Sequence, residues 1–175
     1  MTSLLECFAK YGCDKGWRHH YDAVYEPLLE PLRELPITLL EVGVFVGASL
    51  SAWADYFPNA KIRGVDTFAL VPRWALPAMA HPRVRGYKCD STKETPEGFA
   101  LGSVDVIIDD GDHAPESQIA TFGHYFPLLK SGGLYFIEDV HYEHAVGAAL
   151  TAYDTSHHNL RDHGRNASYL VVIRK

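Results

Sequence analysis

The sequence predicts an α/β domain, a mostly parallel sheet with helices on both faces. Three observations carry this. Short apolar runs alternate with helical stretches from residue 37 onward. The first run, ITLLEV (37–42), is apolar and β-rich rather than alternating, which suits a strand buried on both faces. Each evident strand before the last ends in or beside a carboxylate.

In chain order, ITLLEV (37–42) reads as the first strand and GASLSAWADYF (47–57) as the helix after it. KIRGVD (61–66) is the second strand, residues 71–80 a short helix, VRGYKC (84–89) the third strand and VDVIID (104–109) the fourth. A helix opens at Pro115, a residue tolerated at the first helical position. Ile119, Phe122, Phe126 and Leu129 form its apolar stripe, Gly132-Gly133 ends it, and Pro127 kinks or shortens it. GLYFIED (133–139) is the fifth strand, YEHAVGAALTAY (142–153) a helix and SYLVVIR (168–174) the closing strand. The polar stretch 154–167 is expected to be a loop, so the final hairpin is expected to be reduced. YDAVYEPLLEPLREL (21–35) reads as an added helix interrupted by prolines.

The 175 residues suffice for one domain. Residues 1–36 are expected to form a helical extension packing over the site, and 37–175 the core. The formal net charge of -6 and the absence of a Lys/Arg run give no support to a nucleic-acid or anionic-membrane partner. Cys7, Cys13 and Cys89 have neither zinc nor disulfide spacing. Glu6, Lys10, Asp14, Lys15 and Arg18 leave no signal-peptide core in the first twenty residues. A cytoplasmic protein is expected.

In open α/β sheets ligands bind beyond the carboxyl ends of the strands, where strand order reverses. That directs attention to Glu41–Gly47, Asp66, Cys89-Asp90, Asp109–His113 and Glu138-Asp139. In EVGVFVGAS (41–49), Gly43 and Gly47 allow close backbone approach, and the next helix offers free N–H groups. The spacing is neither the G-x-G-x-x-G of dinucleotide binders nor a phosphate loop. Glu41 suits a cationic amino group, and Asp66 is placed for ribose hydroxyls.

Glu-x-Gly-x-x-x-Gly, with Asp66 one strand later and Asp90 after the third, resembles class I S-adenosylmethionine-dependent methyltransferases. IDDGDH, FIEDVH, KYGCDKG (10–16) and HHYDAVYEPLLEPLR (19–33) are similar to the metal-dependent sugar O-methyltransferases of the macrocin and mycinamicin type. The resemblance implies a Rossmann-like methyltransferase fold, with the fourth strand between the first and fifth. It implies Asp110, Glu138 and Asp139 as metal ligands and His113 as general base. Hard oxygen ligands without cysteine suit Mg²⁺ or Mn²⁺. For the donor, S-adenosylmethionine, the reading selects Lys15, Glu41, Gly43, Gly47, Ser49, Asp66, Asp90, Ser91 and Asp109. Lys15 is expected on the methionine carboxylate, Asp109 at the methionine end, and Asp90 or Ser91 at the adenine end. His20, Tyr21 and His141 are expected to line the acceptor pocket. Asp112 departs from the family pattern, where a small hydroxyl residue is usual.

The activity implied is metal-assisted methyl transfer to a hydroxyl of a sugar or sugar-bearing natural product. The alternatives are a methyltransferase of a catechol or small diol, and a non-catalytic S-adenosylmethionine-binding partner subunit. The expected partner is a small hydroxyl-bearing acceptor, with a homo-oligomer as an arrangement in which a second protomer completes the acceptor pocket.

Overall fold

The computed structural model describes residues 2–70, 80–161 and 169–175. The expected helix over 71–80 lies almost wholly outside the described residues.

Three short helices come first: α1 (Leu4–Lys10), α2 (Asp14–Trp17) and α3 (Asp22–Leu29). A capping box starts α1, with Ser3 and Glu6 each accepting the other's backbone N–H. Then follow β1 (Thr38–Val42), α4 (Ala48–Tyr56), β2 (Lys61–Asp66), β3 (Val84–Lys88) and β4 (Val104–Asp109). The chain closes with α5 (Pro115–Tyr125), β5 (Leu129–Ile137), α6 (Glu143–Ala149), β6 (Asp154–Asn159) and β7 (Tyr169–Arg174).

Among the described residues the strands form one sheet in the order β3-β2-β1-β4-β5-β7-β6. The first five are mutually parallel, and β7 runs antiparallel to both its neighbours. The order reverses between β1 and β4, so a crevice opens beyond their carboxyl ends. The expected Rossmann-like α/β architecture is present.

Alternation along the strands builds a core on each face. Leu39, Val106, Ile108, Phe136 and Val172 join the side carrying α1, α3 and α4. Leu40, Ile107, Tyr135, Ile137 and Val171 join the side carrying α5 and α6. The N-terminal helices belong to the first core. Phe8 of α1 meets Trp53 edge-on at 5.1 Å, and Tyr25 of α3 meets Trp53 at 5.3 Å and Phe136 at 4.6 Å.

Two expectations are corrected. The helix from Pro115 is not ended by Gly132-Gly133. It stops at Tyr125, passes through a 3₁₀ turn at Phe126–Leu128 containing Pro127, and enters β5 at Leu129. Proline cannot supply the N–H that would continue the helix. The buried stripe accordingly runs through Gln118, Thr121, Phe122 and Tyr125, while Ile119 is exposed. Gly132, at φ +77°, instead sits inside β5, whose register against β4 shifts between Val104 and Val106.

The second correction concerns the polar stretch after α6. It forms β6, paired with β7 from Asp154↔Arg174 to Asn159↔Tyr169, so the closing hairpin is complete. A polar strand at a sheet edge lacks the apolar pattern by which strands are read, because one side faces solvent. No helix among the described residues is long and apolar enough to cross a membrane.

Gly43 joins this scaffold to the crevice. It follows β1 at φ +89°, and a Cβ there would stand 2.0 Å from the Asp110 carbonyl oxygen. Gly43→Ala is therefore expected to cost more than about 4 kcal/mol, the range reserved for severe backbone and packing lesions. Urea unfolding measures it, and a loss below 1 kcal/mol would show that the two corners can separate freely.

Candidate metal and donor site

The ends of β1, β4 and β5 lie side by side, with Val42 paired to Asp109 and Asp109 to Ile137. One step beyond, the Asp110 N–H donates to the Val42 carbonyl at 3.0 Å, and the Glu138 N–H to the Asp109 carbonyl at 2.9 Å. Above these ends is a cavity of about 720 Å³, within the usual range for small-molecule sites. It is lined by Lys15, Gly43, Ser49, Asp66, Asp90, Ser91, Asp109, Asp110, His113, Glu138 and Asp139. Of the residues selected from sequence, Glu41, Gly47, His20, Tyr21 and His141 do not line it.

Asp66 organises one end of the cavity. Its Oδ2 accepts the Val44 N–H at 2.8 Å, and its Oδ1 the Phe68 N–H at 2.7 Å, tying the glycine turn to the loop after β2. Gly47, at φ +73°, caps α4 and brings Ala48 and Ser49 to the wall. Asp90 is held by Lys93 at 2.7 Å and the Thr92 hydroxyl at 2.6 Å, which together pull its carboxyl down to about 2. Ser91 and Thr121 share a hydroxyl hydrogen bond of 3.0 Å.

Asp109 differs from these. It is buried, its Oδ1 accepts the Gly111 N–H at 3.3 Å, and its Oδ2 has no hydrogen-bond partner in the protein. Burial pushes its carboxyl up to about 8, with Asp110 and Asp112 adding to the shift against the Gly111 hydrogen bond. An unpartnered polar atom in a cavity wall is a group to which a ligand can supply the missing bond.

Lys15 is buried at the floor, 2% exposed. Its ammonium lies 2.6 Å from Asp110 Oδ2, 2.7 Å from Glu138 Oε2 and 3.2 Å from Glu41 Oε1. Burial pulls its pKa down, but the three carboxylates outweigh burial and hold it well above the usual lysine value. Glu41 faces Lys15 and accepts the Trp53 indole N–H at 3.1 Å, which accounts for its absence from the cavity wall. Glu138 also accepts the Tyr25 hydroxyl. Burial, with Asp110 and Glu41 nearby, pushes Glu138 well above the carboxylate range while Lys15 pulls against it.

Asp110, His113 and Asp139 form a group in which one potential ligand atom from each lies within 4.8 Å of the others. His113 Nε2 is 4.0 Å from both Asp110 Oδ1 and Asp139 Oδ2. The two carboxylates, part-buried on the cavity wall beside the imidazole, offer the hard oxygens that fit a divalent cation. Glu138 stands outside this group because both its oxygens are engaged by Lys15 and Tyr25. β5 has ended before the acidic pair, and Asp139 takes φ +51°. His113 is likewise left-handed, at φ +62°. Such backbone strain in non-glycine residues concentrates at functional corners. Asp112 is used elsewhere, accepting the Ala114 N–H and the Ser117 hydroxyl at the start of α5.

The expected acceptor residues are placed differently. Tyr21 is fully buried beneath Asp139, donating to its Oδ1 at 2.5 Å. His20 does not line the cavity, and His19 does so instead, 3.5 Å from Asp139 Oδ1. His141 is exposed, with its ring 6.2 Å from that of His113. His19 and Tyr25 were missed by sequence reasoning.

Lys15→Met should cost about 3–5 kcal/mol in urea unfolding, because it strands buried carboxylates without their counter-charge. A loss under 1 kcal/mol would show the cluster to be hydrated or already protonated. Asp109 yields a pH prediction. Its folded pKa of about 8 exceeds the ordinary 3.8. Between those values the folded state retains a proton that the unfolded state has lost, so stability falls as pH rises from about 4 to about 8. Asp109→Asn should remove that part of the slope, read as the difference between the two proteins' unfolding curves at pH 5 and pH 8.

Residues 40–140 match the family described as methyltransferase domain. Among characterised relatives is the 8-demethyl-8-(2-methoxy-alpha-L-rhamnosyl)-tetracenomycin-C 3'-O-methyltransferase of Streptomyces olivaceus. It is 33% identical over 154 residues, which cover 82% of this chain and 39% of that protein. The mycinamicin VI 2''-O-methyltransferase of Micromonospora griseorubida is 28% identical over 145 residues, covering 78% and 36%. The chain thus spans under two-fifths of the length of these relatives. Among solved structures, the MycE methyltransferase of the mycinamycin biosynthetic pathway, in complex with Mg, SAH and mycinamycin VI, superposes with a TM-score of 0.71. The identity is 22%, and the match covers 99% of this chain and 54% of that one. With its sheet order, its strand-end acidic corners and this match over residues 40–140, the chain belongs to the methyltransferase domain family.

Proposed function

We propose that this chain is the catalytic core of an S-adenosylmethionine-dependent O-methyltransferase. A divalent cation, Mg²⁺ or Mn²⁺, assists transfer to a hydroxyl of a sugar or sugar-bearing natural product. The observation that carries the reading is the Asp110–His113–Asp139 group on the wall of the same cavity that Gly43, Asp66, Asp90 and Asp109 line. The names of the tetracenomycin and mycinamicin relatives support the acceptor class.

In this reading Asp110 and Asp139 would hold the cation, which would supply Lewis acidity to lower the pKa of the acceptor hydroxyl. His113, facing both carboxylates, takes the hydroxyl proton as the oxygen–methyl bond forms and the sulfonium–methyl bond breaks. S-adenosylhomocysteine and the methyl ether leave. Asp109 and the glycine turn receive the methionine end of the donor, Asp66 its ribose, and Asp90 and Ser91 its adenine end. Lys15, committed to three carboxylates, is assigned to the site's floor rather than to the donor carboxylate.

Calorimetric titration of S-adenosylmethionine into the protein with Mg²⁺ should show saturable binding, with NAD silent; NAD binding instead would overturn the reading. Asp110→Asn should abolish activity and Mg²⁺ dependence while donor binding survives, and full turnover in excess chelator would remove the cation from the scheme. His113→Ala should retain both ligands and slow transfer by about 10²–10⁴-fold. Turnover of catechols but not glycosides would move the acceptor to the small-diol class.

A further inference from the structure

Each carboxylate facing His113 turns one oxygen toward that ring and the other toward the N-terminal segment. Asp110 gives Oδ2 to the Lys15 ammonium at 2.6 Å, and its Oδ1 lies 4.0 Å from His113 Nε2. Asp139 gives Oδ1 to the Tyr21 hydroxyl at 2.5 Å, with His19 Nδ1 at 3.5 Å, and its Oδ2 lies 4.0 Å from the same His113 nitrogen. The Asp139 backbone N–H in turn donates to the Tyr21 hydroxyl oxygen at 3.0 Å. A single phenol therefore clamps both the main chain and the side chain of Asp139 where its backbone is left-handed. The ring itself cannot swing, being fully buried, stacked on His19 at 5.2 Å and edge-on to Tyr25 at 6.3 Å.

Lys15, His19 and Tyr21 belong to one short stretch from α2 to the start of α3, ahead of the matched residues 40–140. We propose that this stretch is the outer shell of the cation seat, and that Tyr21 is a positioning residue whose hydroxyl aims Asp139 Oδ2 at the space shared with Asp110 Oδ1 and His113. The inference rests on the methyltransferase reading only in requiring that a divalent cation binds there. A carboxylate held by one oxygen keeps one rotamer, so the cation meets an ordered ligand. Partners of this kind set ligand orientation and basicity in metal sites, and their loss weakens metal binding by about 10–100-fold.

A merely structural Tyr21 would tie the N-terminal segment to the core and affect unfolding alone. The separating measurement is Mn²⁺ affinity, followed by the electron paramagnetic resonance of free Mn²⁺ with no donor or acceptor present. Calorimetric S-adenosylmethionine binding to the same proteins accompanies it. Tyr21→Phe keeps the packed ring and should bind Mn²⁺ about 10–100-fold more weakly, with donor affinity unchanged within about twofold. Tyr25→Phe deletes the hydroxyl on Glu138 and is the matched control, expected to bind Mn²⁺ as the parent does. Where Tyr21→Phe does not fold, His19→Gln, which alters the contact to the same Asp139 oxygen, should weaken Mn²⁺ at least several-fold.

Parent-like Mn²⁺ affinity in the folded Tyr21→Phe protein would sink this inference and leave the methyltransferase reading standing. Equal weakening in Tyr25→Phe would overturn it in favour of Glu138 as the cation's ligand. A parent protein that binds no Mn²⁺ would remove the cation from the reading, and the outer shell with it.

Discussion

Glu41, Asp110 and Glu138 come from the neighbouring strands β1, β4 and β5, and Lys15 is the ammonium that lets them lie together. Strands sit about 4.8 Å apart, so carboxylates at adjacent ends repel one another, and with water excluded that repulsion is large. Removing charges from water costs several kcal/mol each unless they are paired closely and hydrogen-bonded. The pairing here comes from a residue about a hundred positions away from Asp110 in sequence, on a helix of only four residues. Ordering the N-terminal segment and burying the acidic floor are therefore one event. Phe8 and Tyr25, packed on Trp53, hold the segment where the ammonium reaches.

The same corners store backbone strain. Phe45, Phe68, His113 and Asp139 follow the ends of β1, β2, β4 and β5, and each takes a positive φ despite carrying a side chain. Asp66 accepts backbone N–H groups from both the Phe45 and Phe68 loops, and Tyr21 clamps Asp139. Strain of this sort persists only when surrounding bonds over-determine it. What it gains is direction, turning side chains back over the strand ends instead of letting the chain run on into the next helix.

Sequence reasoning located β2 and β4 to the residue: VDVIID is a largely buried apolar run with a strong local pattern, while KIRGVD, with Lys61 exposed, was placed by the alternation of strands and helices. It could not see β6, whose residues are polar because the strand is an edge, nor the early entry into β5, where Pro127 and not the glycine pair sets the helix end. In the site, the carboxylates were legible as strand-end residues. Their partners were not, since an ammonium or phenol that acts across the fold has no local signature. Lys15 was assigned to a donor carboxylate, and Tyr21 to the acceptor pocket, from the N-terminal motifs that carry the family resemblance. Glu138 illustrates the same limit: its neighbour Asp139 reaches the His113 group, and nothing in the pair Glu-Asp says which of the two Lys15 will hold.

Charge finally connects the cavity to its ligands. Of the described residues lining it, eight carry carboxyl groups, namely Asp14, Asp66, Asp90, Asp109, Asp110, Asp112, Glu138 and Asp139, of which Asp109, raised to about 8, adds little negative charge at neutral pH. Against them stand two fixed cations, Lys15 and Arg18. Lys15 compensates Glu138 and one oxygen of Asp110, and Lys93 draws off Asp90 from outside. The remainder is an excess of negative charge in a confined space, where potentials are focused. A pyrophosphate entering such a cavity would meet repulsion from most of its wall, which argues against dinucleotide chemistry independently of glycine spacing. A sulfonium donor and a divalent cation each bring the sign of charge the wall lacks. The donor would also supply the partner that buried Asp109 Oδ2 lacks within the protein.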